Sequence, residues 1–392
     1  MNKLEYRVND CMQELQMETV KFQKKIDGQD QQMEEIQKKV QLLTKKNNRI
    51  LELENELEKQ ASRILTLEKR NKEYDNLKTR VNLLEKHIKR LDARIDTANY
   101  SMNYLYYKGL HPDCYEAALN DWYYQRTGKH MDLANPVTYN EKIQWLKLFD
   151  NSERKTQLAD KYLVRNWVAE KIGDEYLIPI LGVWKCFEEI NFDSLPNKFV
   201  LKTNHGSGWN LIVKNKEELD WLQVKSKFDY WIKRNFAFYG LELQYMNIPR
   251  RIIAEEYLEE LDQVYDYKFM CFNGEVKFIW VDTDRFTNHK RTLFTTNWIR
   301  MDKQIMYPVA DYDIPKPENL NRMLEIARIL SQGFIHVRVD LYDVNGKMYF
   351  GEMTFTPESV TLTTEHKEFE VEMGEWIEIA ERKPYPCYSG ID

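Results

Sequence analysis

The chain has 392 residues, 43% hydrophobic and 31% charged, with a formal net charge of −6 at pH 7. No run of about 18 apolar residues occurs, so no transmembrane helix is expected, and the opening MNKLEYRVNDCMQELQ lacks the apolar stretch of a secretory signal. Five scattered cysteines (Cys11, Cys114, Cys186, Cys271, Cys387) form no CxxC pair, and no histidines show HExxH spacing. A structural zinc and a disulfide framework are therefore not expected, and the expected setting is a reduced cytoplasm, at most peripheral to the inner face of a membrane.

Composition is uneven along the chain. All 11 prolines lie at or after Pro112 and all 10 tryptophans at or after Trp122, while Gly28 is the one glycine before Gly109. Residues 1–97 hold 21 Lys+Arg and 18 Asp+Glu, and the remainder holds 36 and 45. Mixed signs in the first part argue against a basic nucleic-acid arm. Two bodies joined near residue 100 are expected.

In the first body one heptad register runs from about Glu5 to Ile64. Its d positions are Val8, Leu15, Phe22, Gln29, Ile36, Leu43, Ile50, Leu57 and Ile64. Its a positions are Glu5, Met12, Thr19, Ile26, Met33, Val40, Asn47, Glu54 and Ala61. A period of 3.5 residues makes a narrow seam that another helix covers. A second register, out of phase, carries Leu67, Tyr74, Val81, Ile88 and Ile95 with Leu77, Leu84 and Leu91, so a break is expected near residues 65–71. The reading is a coiled-coil oligomerisation stalk over 1–97. Asn47 at an a position favours an in-register dimer, and Gln29 beside Gly28 marks a soft spot.

Residues 98–159 are expected to form a helical linker and the first part of a catalytic body, 160–380 its main domain and 381–392 a tail. The fold class is α+β. Asp160–Lys171 reads as a helix capped by Asp160. Lys198–Thr203 and Leu211–Lys214 read as strands around the loop NHGSGWN, and Arg251–Leu258 as another strand. Tyr267–Phe272 and Glu275–Val281 read as a hairpin on Asn273-Gly274. Pro317–Ser331 reads as an amphipathic helix, and His336–Tyr342 with Lys347–Met353 as a last hairpin.

That last hairpin holds the chemistry. A three-residue loop would set Asp343 opposite Lys347 and Arg338 opposite Glu352, placing Arg338, Asp340, Glu352, Thr354 and Phe350 on one face. A two-residue turn at Asn345-Gly346 would slip the register and send Asp340 and Glu352 to opposite sides. Two carboxylates and a hydroxyl suit Mg²⁺, and an adjacent arginine suits a phosphate or oxyanion. Lys202 ends a strand before Asn204-His205-Gly206-Ser207-Gly208, where an ammonium and backbone N–H groups can cradle phosphate; a plain turn is the alternative. Lys161 adds a cation at a helix start. Backbone around Glu256–Leu258 can meet a purine edge. Asp282-Thr283-Asp284 is the one formal DxD match.

The order Lys161, Lys202 with its loop, Glu255–Leu258, then Arg285, Lys290 and Arg291, then Asp340 and Glu352 resembles the ATP-grasp fold. The segments PVTYNEKIQWLKLFD, ADKYLVRNWVAEKIGDEYLIPILGVW, FVLKTNHGSGWN, RIIAEEYLE, DYKFMCFNGEVKFI, HVRVDLYDVNGKMYFGEMTFTP and MGEWIEIA, spanning roughly residues 110–380, resemble the TupA-like ATP-grasp family, linked to teichuronopeptide and capsular polysaccharide biosynthesis in bacteria. The resemblance implies a two-lobed ATP-grasp domain behind the coiled coil, with ATP and Mg²⁺ as cofactors. It implies Lys161, Lys202, Ser207 and Gly208 on the phosphates, and Glu255, Tyr257 and Leu258 on adenine, with Asp262 near ribose. It implies Asp340, Glu352 and Thr354 on Mg²⁺, and Arg338, Lys290 and Arg291 in catalysis. Two departures stand out: Thr354 replaces the usual Asn, and Phe355-Thr356-Pro357-Glu358-Ser359-Val360 replaces Phe-Tyr-Pro-Gly-Ser-Gly. The implied activity is carboxylate–amine ligation in bacterial surface or capsular polysaccharide synthesis, joining a carbohydrate or uronate to an amine in a homo-oligomer, with no nucleic-acid partner. A sugar kinase, a glycosyltransferase and a non-catalytic nucleotide-binding scaffold are the alternatives.

Overall fold

The computed structural model describes residues 101–258, 265–284, 288–358, 364, 366–379 and 381–386, with scattered positions between 11 and 59. The chain divides into two compact units, Met1–Met102 and Asn103–Asp392. In the first unit every described residue is helical, and Met12, Leu15, Met17, Val20, Leu51 and Leu53 are exposed. Most of the heptad positions, the whole second register and the expected break at 65–71 lie outside the described residues.

In the second unit, helical residues 103–109 lead to α1 (Tyr115–Thr127), which ends on Gly128 in the left-handed region at φ 70°. Helix α2 (Tyr139–Phe149) starts on a capping box: Thr138 Oγ1 accepts from the Glu141 N–H, and Glu141 answers on the Thr138 N–H. Short α3 (Glu153–Ala159) and α4 (Val164–Ile172) follow. The helix expected from Asp160 starts later, with Leu163 as its N-cap, and Asp160 instead ends α3; its Oδ1 accepts from the Tyr162 and Leu163 N–H groups in the turn between the two helices.

A first sheet contains β1 (Ile180–Trp184), β2 (Phe199–Thr203), β3 (Asn210–Val213) and β4 (Ile252–Glu256) in the order β1-β4-β2-β3. Phe199, Leu201, Val213, Ile252 and Ala254 on one face pack with Val224 and Phe228 of α5 (Trp221–Ile232). The other face carries Val200, Lys202, Ile253 and Glu255, since these are the cross-strand partners of one another.

A second sheet contains β5 (Asp266–Phe272), β6 (Glu275–Thr283), β7 (Lys290–Thr295), β8 (His336–Val344) and β9 (Lys347–Thr354) in the order β7-β6-β5-β8-β9, all pairs antiparallel. Helix α6 (Leu320–Ser331) covers the face made by Phe269, Cys271, Val337 and Val339; Cys271 Sγ lies 3.8 Å from the Ala327 carbonyl. On the opposite face the residue type changes along each strand. At one end Phe272, Phe278 and His336 lie under Tyr139 of α2 and under Phe369 and Trp376 of α7 (Lys367–Glu375) and its end. At the other end the same face is charged. Residues 381–386, expected to be a tail, are docked: the Lys383 N–H donates to Phe149 O at 3.0 Å and the Arg382 guanidinium lies over the Phe149 ring.

Candidate active site

Both Asn-Gly hairpins close on two-residue turns with positive φ at each central residue, 51° and 81° at Asn273-Gly274 and 53° and 82° at Asn345-Gly346. The second overturns the expected three-residue loop: Val344, not Asp343, pairs with Lys347. The one-residue register shift this entails is followed by a second in the same direction, which restores the side each residue faces while moving its partner by two. Leu341 pairs with Phe350, then Asp340 pairs with Glu352, so Gly351 is an extra residue in a β-bulge. A Cβ at Gly351 would lie 3.0 Å from the Tyr342 ring and 3.1 Å from Asp340 O. The bulge sets Arg338 opposite Thr354 and Asp340 opposite Glu352, so these four do share one face, while Phe350 goes with Leu341 to the core.

Arg338 holds this group together. Its Nε donates to Asp340 Oδ1 at 2.7 Å and its Nη2 to Asp340 Oδ2 at 2.8 Å, to Glu352 Oε1 at 3.0 Å and to Thr354 Oγ1 at 3.1 Å. The row continues across the sheet. On β5, Lys268 Nζ lies 3.3 Å from Asp340 Oδ2 and 3.6 Å from Asp282 Oδ2, and it ion-pairs with Asp266. On β7, Arg291 forks onto Asp282 through Nε (2.6 Å) and Nη2 (2.9 Å), and its Nη1 donates to Glu358 Oε1 at 2.8 Å. Asp266, Lys268, Asp282, Arg291, Arg338 and Asp340 are all buried.

Burial works against each charge and the partners decide the outcome. At Glu352 burial raises the carboxyl, but Lys161, Arg338, Lys268 and the Thr354 hydroxyl together bring it down to about 2. At Asp340 burial dominates over Arg338 and Lys268, and its carboxyl sits above the ordinary range. At Asp282 burial is overcome by His289, Arg291 and Lys268, and the carboxyl is held far below the ordinary range.

Lys161 joins this row to the first sheet's loop. Its Nζ donates to Gly206 O at 2.7 Å and lies 3.6 Å from Glu352 Oε2, and its N–H donates to Asn204 O. The loop base is fixed: Asn204 Oδ1 accepts from the Arg251 N–H, and buried His205 points Nε2 at the carbonyls of Trp231 and Arg234. Its tip, Ser207 and Gly208, is exposed, with Gly208 at φ 71°. Lys202 Nζ lies 2.5 Å from Glu255 Oε2, and Arg165 of α4 lies 3.7 Å from Glu255 Oε1. Strand β4 pairs on both sides through Glu255, so its polar backbone is engaged in the sheet; Tyr257 and Leu258, both half-buried, follow the last strand residue.

The structure therefore brings Lys161, Arg338, Asp340, Glu352 and Thr354 together, links Arg291 through Asp282 and Lys268, and sets Lys202 with Glu255. It does not bring Lys290 to this face. Alternation on β7 turns it away from Arg291, and it ion-pairs with exposed Asp311 beside Tyr312. Asp282 of the DxD match is committed to Arg291, and Asp284 accepts from the Tyr312 hydroxyl at 2.6 Å. Asp262 and Arg285 lie outside the described residues. Lys268, Asp266 and Arg165 were not anticipated; the signal for the first two was a charged residue at every second place (Asp266, Lys268) in an otherwise apolar strand. Tyr245, buried and within electrostatic reach of Glu352 and Arg338, gave no sequence signal.

The donor set at Asp340, Glu352 and Thr354 is all oxygen, which fits a hard cation such as Mg²⁺. Among the described residues no group of three or more His, Cys, Asp or Glu side chains stands at metal-holding spacing. A cation held here would take its remaining ligands from phosphate and water, as Mg²⁺ at nucleotide sites does.

Two antiparallel-sheet lobes, a lysine-anchored Gly/Ser loop and a carboxylate pair on the last hairpin define an ATP-grasp architecture. The "TupA-like ATPgrasp" family profile matches residues 141–378, and the chain belongs to the TupA-like ATP-grasp family. No curated protein matches it in sequence. Among solved structures it is similar to D-alanine–D-alanine ligase from Bacillus anthracis complexed with ATP, at 15% identity and a TM-score of 0.35, over 61% of this chain and 66% of that one. It is also similar to the ATP-grasp ligase PsnB complexed with minimal precursor, Mg and ADP (10%, TM-score 0.31, 55% and 57%). N5-carboxyaminoimidazole ribonucleotide synthetase from Thermus thermophilus follows (11%, TM-score 0.30, 50% and 45%). The chain thus spans less than two thirds of these proteins' length. Among the described residues no helix is long and apolar enough to cross a membrane.

Proposed function

We propose that the chain is an ATP-dependent carboxylate–amine ligase. The observation that carries this reading is Lys161, whose ammonium touches both the carbonyl of the Gly206 loop and the Glu352 carboxylate. A phosphate chain lying along that line would meet cations from the loop side and oxygen ligands from the hairpin side. Asp340, Glu352 and Thr354 would hold Mg²⁺, which supplies charge neutralisation at the transferred phosphoryl group when bound. Lys202, released from Glu255, and the N–H groups at Ser207-Gly208 would hold ATP phosphates. Tyr257 and Leu258 would flank adenine, with Glu255 holding Lys202 rather than reading the base.

In the reaction a substrate carboxylate oxygen attacks the γ-phosphorus and ADP leaves. An amine nitrogen then attacks the acyl carbon, phosphate leaves, and an amide forms. Arg338, charged and fixed by its fork on Asp340, stabilises the oxyanion of the second step. A uronate joined to an amino acid fits a role in surface polysaccharide synthesis. The test is product analysis with purified protein, Mg²⁺ and ATP: ADP and free phosphate released only when carboxylate and amine are both present support a ligase. A stable phosphorylated sugar would replace this reading with a kinase.

The helical, apolar-exposing residues of the first unit support a self-associating stalk, with a dimer favoured. Sedimentation of the full chain gives a dimer in this reading, and Leu15→Glu with Ile50→Glu gives a monomer. A monomeric wild-type chain removes the stalk.

A further inference from the structure

Arg291 has one edge that the sheet does not need. Its Nε and Nη2 are satisfied within the row by both oxygens of Asp282. The guanidinium lies against the Trp280 ring (4.4 Å) and the Tyr307 ring (4.9 Å), so its orientation is set before any third partner arrives. That third partner is Glu358, whose Oε1 accepts from Nη1 at 2.8 Å. The two differ in access: the Arg291 side chain is 2% exposed and that of Glu358 19%.

Glu358 reaches Arg291 from an unfavourable backbone. Its φ is 55°, in the left-handed region that a side chain with a Cβ rarely adopts. The segment before it is anchored, with Phe355 and Thr356 buried and Thr356 hydrogen-bonded to Glu242 and Gln244. Glu358 is thus a carboxylate on a strained residue two places beyond a fixed point, plugged into a rigid, buried guanidinium on the site face. Strain held at such a place is a common mark of function.

We propose that Arg291 Nη1 is the receptor for a ligand carboxylate that does not react, and that Glu358 occupies it until that ligand displaces it. The proposal rests on the ligase reading and deepens it, by giving the unreacted carboxylate of an amino-acid substrate a receptor and an internal competitor. Arg291 stands on β7, three strands across the sheet from Arg338 on β8, and the Glu358 carboxylate it holds is within electrostatic reach of Arg338. A carboxylate anchored on Arg291 is thus beside, and distinct from, the one attacked at the Asp340–Glu352 end. Arg291 is a binding residue in this scheme and Glu358 an internal competitor.

The test is a binding measurement that needs no turnover. The full chain, Glu358→Gln and Arg291→Gln are titrated with glycine, acetate and methylamine, reading ligand-induced melting shifts. If Glu358 fills the receptor for about nine-tenths of the time, neutralising it lowers the half-saturating concentration of glycine and acetate about tenfold. Methylamine gives no shift with any protein, and Arg291→Gln responds to none of the three. Arg291→Lys, which keeps the charge without the fork, serves if Arg291→Gln does not fold, and it binds glycine more weakly than the wild type. Equal glycine and acetate affinity in the wild type and Glu358→Gln overturns the competitor role. A response retained in Arg291→Gln overturns the receptor. Loss of Mg·ATP binding would sink the ligase reading while leaving these titrations intact, so the two failures are distinguishable.

Discussion

On the site face of the four-stranded sheet, one ion pair, Lys202–Glu255, stands among Val200 and Ile253, with Arg165 reaching in from α4. On the site face of the five-stranded sheet, three cations (Lys268, Arg291, Arg338) interleave with four carboxylates (Asp266, Asp282, Asp340, Glu352) across all five strands. The first arrangement is local: a phosphate can draw Lys202 away while Arg165 remains for Glu255. The second is shared: Lys268 answers three carboxylates, and none of its members, half-buried Glu352 excepted, moves without leaving an unpaired charge in low dielectric. A pair able to exchange partners and a fixed electrostatic field are thus built from the same residue types by changing how many partners each charge has.

The largest test of that contrast is Lys268→Met. It leaves three carboxylates facing one another and should cost about 3–5 kcal/mol of stability, read by urea unfolding. A loss no greater than that of Lys202→Ala would break the comparison. Glu352→Gln comes next. Glu352 is one-third exposed, so the fold should persist while turnover falls on the order of 10²–10³, measured as ATP-dependent phosphate release beside a thermal melt. Retained turnover would remove it from the metal site. Lys202→Ala should leave the melt nearly unchanged and raise the half-saturating ATP concentration about tenfold, or about 1.4 kcal/mol.

The smallest effect concerns pH. Each lobe holds a buried neutral imidazole. Burial, only partly offset by the Cys271 carbonyl, holds His336 down to about 3, and burial with the nearby Arg250 charge holds His205 down to about 4. As pH falls below the ordinary value near 6.5, the unfolded chain takes up protons that the folded chain does not. Stability is therefore lost on acidification, between 6.5 and about 3 for His336 and between 6.5 and about 4 for His205. His336→Gln should flatten the acid limb of a stability–pH curve by up to one proton, and an unchanged slope would show that His336 titrates alike in both states.

What was legible in sequence follows from locality. Asn273-Gly274 and Asn345-Gly346 announce two-residue hairpins through backbone chemistry, and the alternation beside them marks the inward faces. Lys161, Lys202, Asp340 and Glu352 can be singled out from sequence because motif order does not depend on register. The pairing differs from the expected one because the turn and the bulge at Gly351, set apart along the strand, each shift it by one residue in the same direction, so the facing of Asp340 and Glu352 is kept while Arg338 meets Thr354 in place of Glu352. Lys290 was grouped with Arg291 because strand β7 was not assigned, and once Lys290–Thr295 is a strand, neighbours must part. Lys268 escaped because its partners lie on two other strands as well as its own.

The bulge has one more consequence, concerning which lesions the hairpin survives. Leu341 pairs with Phe350 and Asp340 with Glu352, skipping Gly351. Deleting Gly351 joins Phe350 directly to Glu352 and leaves the pairing as it was, in an unbroken ladder. Gly351→Val keeps the residue count, crowds Asp340 O, and favours a regular ladder in which Glu352 falls opposite Val339 and turns toward the core. Here the frame of the strand matters more than its length, so losing a residue should be the milder injury in both melting temperature and ATP turnover, and gaining a few carbons the graver.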